Sequence, residues 1–285
     1  MLPPIPLELK ALVVHELAHD QKDLSTVSLV WPETISYIRE HRFKNLYIHG
    51  SDELSRFLQL MGGAPAISSA IRYISIITPR TQADSPLRVR EQYRNMMTLI
   101  MAVPNLEELS LDGNNLSKFD LVLSSSPSSS IKLKKLTLRQ SHTSLKSFLD
   151  ILRSFPHLTN LSLLCVDIMD LSQIAKDVWN LSERTSALPQ PEHCVMWDTQ
   201  GIEAPEEVAQ VTSLTIHPFS ASDLIFLDLL ASSKTPFPNL EEIIFFDDDL
   251  QMCRPRRLPA LLDRYKDTLH TLDLLGDAFY NRSEC

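Results

Sequence analysis

The sequence predicts an α/β solenoid with parallel strands along its concave side and helices along its convex side, and three observations carry that prediction. First, within residues 103–119 the side chains Leu106, Leu109, Leu111, Asn114 and Leu116 satisfy the L-x-x-L-x-L-x-x-N-x-L pattern of a leucine-rich repeat. Leu109 and Leu111 share one face of a short strand, and Leu106 and Leu116 fill the same core where the chain enters and leaves it. The Asn114 amide can satisfy backbone groups where the strand bends away. Second, paired apolar strand positions recur at Leu46/Ile48, Ile74/Ile76, Leu109/Leu111, Leu136/Leu138, Leu161/Leu163, Leu214/Ile216, Ile243/Phe245 and Leu272/Leu274. Third, a lead-in phrase returns as Val103-Pro-Asn-Leu106, Phe155-Pro-His-Leu158 and Phe237-Pro-Asn-Leu240. Its Pro stops the preceding helix and its Leu turns into the core. One such unit cannot bury its own apolar face, so about eight in a row imply a stacked, continuous core. Only the unit at 103–119 carries the full consensus: Ser141, Val166, Asp248 and Asp277 stand where it has Asn114, so the solenoid is irregular.

Composition narrows the function. The 285 residues are 44% hydrophobic and 22% charged, a globular balance. A net charge of -9 repels phosphate backbones, which argues against a nucleic-acid partner. There is no run of about 18 apolar residues and no basic leader, so no membrane partner is expected and the location is cytoplasmic or nuclear. Cys165, Cys194, Cys253 and Cys285 lie far apart without a C-x-x-C pair, as reduced thiols do in a reducing compartment. N-x-S sequons at Asn115, Asn160, Asn180 and Asn281 read as chance matches, two of them inside the repeat pattern.

Taken in order, residues 1–42 form a small helical segment and residues 43–285 the repeat domain. After a Pro-rich start, Leu9, Leu12, Val13 and Leu17 recur at helical spacing and give a first helix its core face. A second run, Leu24, Val27, Ser28, Leu29 and Val30, leads to Trp31 and Pro32, and the period changes from helix to strand near Phe43. The residues Leu2, Pro3, Leu7, Leu9, Leu12, Val13, Leu17, Leu24, Ser28, Leu29, Val30, Trp31, Phe43 and Leu46 resemble an F-box followed by leucine-rich repeats, the fungal kind of F-box protein. Trp31 follows Val30 directly where that family has intervening residues, and an extra Pro-Ile-Pro precedes Leu7. The resemblance implies a substrate receptor of an SCF-type ubiquitin ligase, docked on a Skp1-type adaptor of a cullin complex. It assigns adaptor binding to Leu2, Pro3, Leu7, Leu9, Leu12, Val13, Leu24, Leu29, Val30 and Trp31. A three-helix cap on a binding scaffold with no ligase role needs the same apolar stripes.

His15-Glu16-Leu17-Ala18-His19 is a literal H-E-x-x-H, which on a helix could bind zinc with Glu16 as general base. A zinc metallopeptidase is therefore a remote alternative, since only fourteen residues precede the motif and no substrate-groove sheet can be built from them.

Along the repeat domain, amphipathic helices alternate with the strands. Their apolar faces are Leu54, Phe57, Leu58 and Met61; Tyr93, Met96, Met97, Ile100 and Met101; Leu145, Phe148, Leu149 and Leu152; Leu171, Ile174, Val178 and Leu181; and Leu258, Leu261, Leu262 and Tyr265. The interval from Leu161 to Leu214 is about twice the others, and residues 194–198 are the candidate for a missing strand. Residues 78–86, the serine tract at 124–130 and the Pro-rich stretch at 185–207 read as surface loops. Asp247, Asp248 and Asp249 lack EF-hand spacing and read as a solvated loop, with Arg254, Arg256 and Arg257 beyond it. No P-loop, Rossmann fingerprint or G-x-S-x-G elbow occurs, so no enzyme, no cofactor and no metal is expected. Strand alternation turns Tyr47, Ser110, Thr137, Ser162, Thr215 and Ile244 outward, as the face that binds an unknown protein target.

Overall fold

Short segments with apolar residues at alternate positions become strands, because every second side chain then meets the same core. In the computed structural model, which describes residues 5–17, 20–78, 86–116, 131–170, 208, 210–217, 221–232, 235–247 and 257–276, these are β1 (Asn45–His49), β2 (Tyr73–Ile77), β3 (Glu108–Asp112) and β4 (Lys135–Arg139). They continue through β5 (His142–Thr143), β6 (Asn160–Leu164), β7 (Asp167–Ile168), β8 (Ser213–His217), β9 (Glu242–Asp247) and β10 (Thr271–Gly276). Eight of them form one sheet in the order β1-β2-β3-β4-β6-β8-β9-β10, and β5 pairs with β7 apart from it. Every pair in the large sheet is parallel.

The register puts the sequence-predicted positions in one row: Leu46, Ile74, Leu109, Leu136, Leu161, Leu214, Ile243 and Leu272 are successive partners across the sheet. Leu161 pairs directly with Leu214, so no strand stands between β6 and β8 in the sheet, where the doubled interval predicts one. The candidate for it, residues 194–198, lies outside the described residues. The backbone repeats as strictly as the side chains. The carbonyls of Lys44, Arg72, Glu107, Lys134, Thr159, Thr212 and Glu241 each accept two consecutive N–H groups from the start of the next strand, using both lone pairs.

Among the described residues the sheet's connections carry α4 (Gly50–Gly63), α5 (Pro86–Ala102), α6 (Leu145–Arg153), α7 (Ala221–Ala231) and α8 (Arg257–Arg264), after an N-terminal α1 (Leu7–Glu16), α2 (Gln21–Val30) and α3 (Ile35–Phe43). Strands that step in one direction with crossovers of one hand carry their helices on one face. The burial agrees: Leu54 and Met61 of α4, Met96, Met97 and Ile100 of α5, and Phe148, Leu149 and Leu152 of α6 are buried in one cluster with the inward strand residues. Leu261 and Tyr265 join the same cluster, whereas Met101 and Leu262 at the flanks of their predicted stripes remain exposed. The stripe predicted from Leu171 to Leu181 lies outside the described residues.

At the ends of four strands, β1, β3, β4 and β6, the backbone turns through a left-handed residue. Gly50, Gly113, Gln140 and Cys165, each one place past its strand, have positive φ of 80°, 73°, 46° and 55°. Gly is required at 113, because a Cβ there would stand 2.4 Å from the Thr78 carbonyl oxygen. The next residue closes the turn. Asn114 Nδ2 donates to the Asp112 carbonyl at 2.9 Å while its Oδ1 accepts from the Thr78 hydroxyl at 2.9 Å. Ser141 makes the equivalent bond to the Arg139 carbonyl, also at 2.9 Å, so a hydroxyl replaces the amide in the next unit. Val166 takes the same place in the following one and is buried.

Among the described residues no helix is long and apolar enough to cross a membrane.

Candidate functional site

Two surfaces offer side chains for recognition. The first is the face of the large sheet opposite the helices. Tyr47, Ser75, Ser110, Thr137, Ser162, Thr215, Ile244 and Asp273 are partners in direct register, forming a single row across all eight strands. All six positions expected from alternation, Tyr47, Ser110, Thr137, Ser162, Thr215 and Ile244, fall in this row. Ser75 and Asp273 belong to the row too and were missed, although the same rule finds them between Ile74 and Ile76 and between Leu272 and Leu274; Asp273 is exposed, whereas Ser75 is buried and offers little to a partner.

The row is chemically graded. Tyr47 is exposed and its ring lies 5.5 Å from that of Tyr73, giving the β1 end an aromatic pair. The middle is a run of small hydroxyls, each both donor and acceptor. Where the strands begin, Lys134 meets Glu107 at 3.2 Å and Lys135 meets Glu108 at 3.8 Å, and the Ser213 hydroxyl donates to Glu242 at 2.5 Å. These ion pairs are open to water and contribute little to stability. Where the strands end, His217 Nδ1 lies 3.7 Å from Cys165 Sγ, and His142 Nδ1 lies 3.4 Å from Asp167 Oδ2.

The second surface is on the N-terminal helices. Among the described residues their core is Val14, Leu24 and Ile38, with Leu17, Val27 and Tyr37 packed against it. The face expected to bury Leu9, Leu12 and Val13 is not the core face: Val14 is the fully buried residue, whereas Leu9 and Leu12 are 52% and 59% exposed. The reason is that α1 carries apolar residues around most of its circumference, at Leu7, Leu9, Leu12, Val13 and Val14, so periodicity does not single out one stripe. On α2 the division is sharper. Leu24 is fully buried, which removes it from the residues assigned to adaptor binding, while Leu29 and Val30 are 83% and 63% exposed. Leu7 and Val13 are exposed as well, and Leu2 and Pro3 lie outside the described residues. Trp31 is half-buried with the Lys10 ammonium 5.6 Å from its ring centroid. Lys10 also pairs with Glu33, a hydrogen bond that holds the Glu33 carboxyl below its ordinary range.

Of the H-E-x-x-H stretch, His15 and Glu16 close helix α1, with Leu17 at its C-cap. His19 lies outside the described residues. His15 sits 5.4 Å, ring to ring, from His41, whose imidazole is held below its ordinary range by burial and by His15. Among the described residues no group of three or more His, Cys, Asp and Glu side chains could hold a metal ion. Asp248, Asp249, Arg254 and Arg256 lie outside the described residues. Compared with protein-family models and with curated proteins, the chain matches none.

Proposed function

We propose that the chain is a leucine-rich-repeat solenoid with an F-box-like N-terminal module, acting as a non-catalytic receptor that holds a protein target on its open sheet face and docks through α1 and α2 on a Skp1-type adaptor. The observation that carries the reading is the imbalance of the helical segment. Among the described residues, Leu9, Leu12, Leu29 and Val30 are solvent-exposed over a small core of Val14, Leu24 and Ile38. A segment that leaves more of its large apolar side chains outside than inside is built to be covered. The sheet face supports the other half of the reading, since repeat arrays recognise partners with side chains contributed in series by successive strands.

The test is co-purification of the full chain with a Skp1-type adaptor, comparing the parent with Leu9→Ala/Leu12→Ala. The expected result is capture by the parent and loss in the double variant, because buried interface anchors each carry about 2 kcal/mol or more. Capture undiminished by the double substitution, or no capture by the parent, ends the ligase reading and leaves a repeat scaffold whose N-terminal helices serve as a cap.

A further inference from the structure

We propose that Cys165 is an activated thiol, paired with His217, that exchanges with small-molecule disulfides at the end of the open sheet face. The two residues are 52 apart in sequence and are brought together by the direct pairing of β6 with β8. Cys165 follows the last residue of β6, and its N–H donates to the carbonyl of His217 at 3.3 Å. The backbone bond aligns the two side chains, and Sγ stands 3.7 Å from Nδ1, within reach of a sulfur hydrogen bond.

Packing does not explain the sulfur. The equivalent places after β3 and β4 hold Gly113 and Gln140, and it is the following residue, Val166, that enters the core. Cys165 is half-buried, so a small reagent can reach it. A base within hydrogen-bond reach of a nucleophile is the arrangement that makes a thiol reactive at neutral pH. The exchange balances as follows. The imidazole accepts the thiol proton and the thiolate attacks one sulfur of the disulfide. The Sγ–S bond forms as the S–S bond breaks, and the departing thiolate takes the proton back from His217. Cys165 ends oxidised in a mixed disulfide, and one half of the reagent leaves reduced.

The test is to treat the full-length protein with excess glutathione disulfide at neutral pH and follow mixed-disulfide formation at each cysteine by peptide mass spectrometry, folded and in urea. Unfolding separates Cys165 from His217 and supplies the intrinsic rate. The expected result is a folded-state rate at Cys165 about tenfold above its rate in urea, falling about tenfold in a His217→Gln variant that keeps its circular dichroism. A folded rate equal to or below the unfolded rate overturns the proposal, and so does a fast rate unchanged in a folded His217→Gln protein. If that variant does not fold, the folded-against-urea comparison on the parent decides alone.

Discussion

The repeat body and the N-terminal helices answer the same need, burying leucines, in opposite ways. In the body β2, β3, β4, β6, β8 and β9 each place two apolar residues in a core continuous from Ile48 to Tyr265, and the neighbouring units reinforce one another. The N-terminal segment rests on Val14, Leu24 and Ile38 and leaves Leu9, Leu12, Leu29 and Val30 in water. The contrast teaches where each part keeps its apolar surface. The body uses it internally for cohesion and presents hydroxyls outward; the helices keep the least that holds them together and display the rest.

The largest effect should come from cutting into the body. Phe148 on α6 is fully buried, and its ring meets Phe226 edge-on with centroids 6.1 Å apart. Phe148→Ala is expected to cost about 3–5 kcal/mol, from lost transfer energy and from the cavity left behind. Chemical denaturation followed by circular dichroism measures it. A loss under about 1 kcal/mol would break the contrast, because the body would then be as loosely held as the helices.

A second, pH-dependent effect belongs to the body alone. Tyr265 is buried, its hydroxyl lies 2.6 Å from that of Thr235, and desolvation pushes its phenol up from 10.0 to about 12. The folded state therefore holds this proton more tightly than the unfolded chain does. Stability is unaffected below about pH 10 and falls as pH rises towards 12, by up to roughly 3 kcal/mol from this group. Tyr93, whose phenol is raised by burial on α5, acts in the same direction. Denaturation midpoints measured between pH 9 and about 12 are expected to decline in the parent and to decline less in Tyr265→Phe. Equal slopes in the two proteins would sink the assignment.

The same contrast explains what the sequence made legible. In the body the strand period of two admits only two faces, and a slip by one residue exposes the whole inward set, so Leu109 and Leu111 determine their side almost by themselves. The register of eight strands and the row from Tyr47 to Ile244 follow from that alternation. The doubled interval before Leu214 suggests a strand between β6 and β8, and spacing alone cannot show that Leu161 and Leu214 pair directly. In α1 the apolar residues surround the helix, so the choice of Val14 over Leu12 as the core residue rests on packing against Leu24 and Ile38, which no local pattern encodes. The Cys165–His217 pair was illegible for a similar reason, since its partners meet only through the sheet.

The smallest expected effect on stability is the one that sharpens the contrast most. Leu29 is 83% exposed, so Leu29→Ala removes an apolar side chain that the chain itself hardly covers. Its unfolding free energy is expected to change by no more than about 0.5 kcal/mol, the ordinary range for surface positions. Denaturant titration beside Leu24→Ala, the same truncation at a fully buried place five residues earlier on α2, isolates burial from helix propensity because both changes put Ala in one helix. The Leu24 change should cost about 2–5 kcal/mol. If the two variants lost similar stability, Leu29 would be covered by the chain's own residues in solution, and the surface proposed for an adaptor would shrink to α1 and Val30.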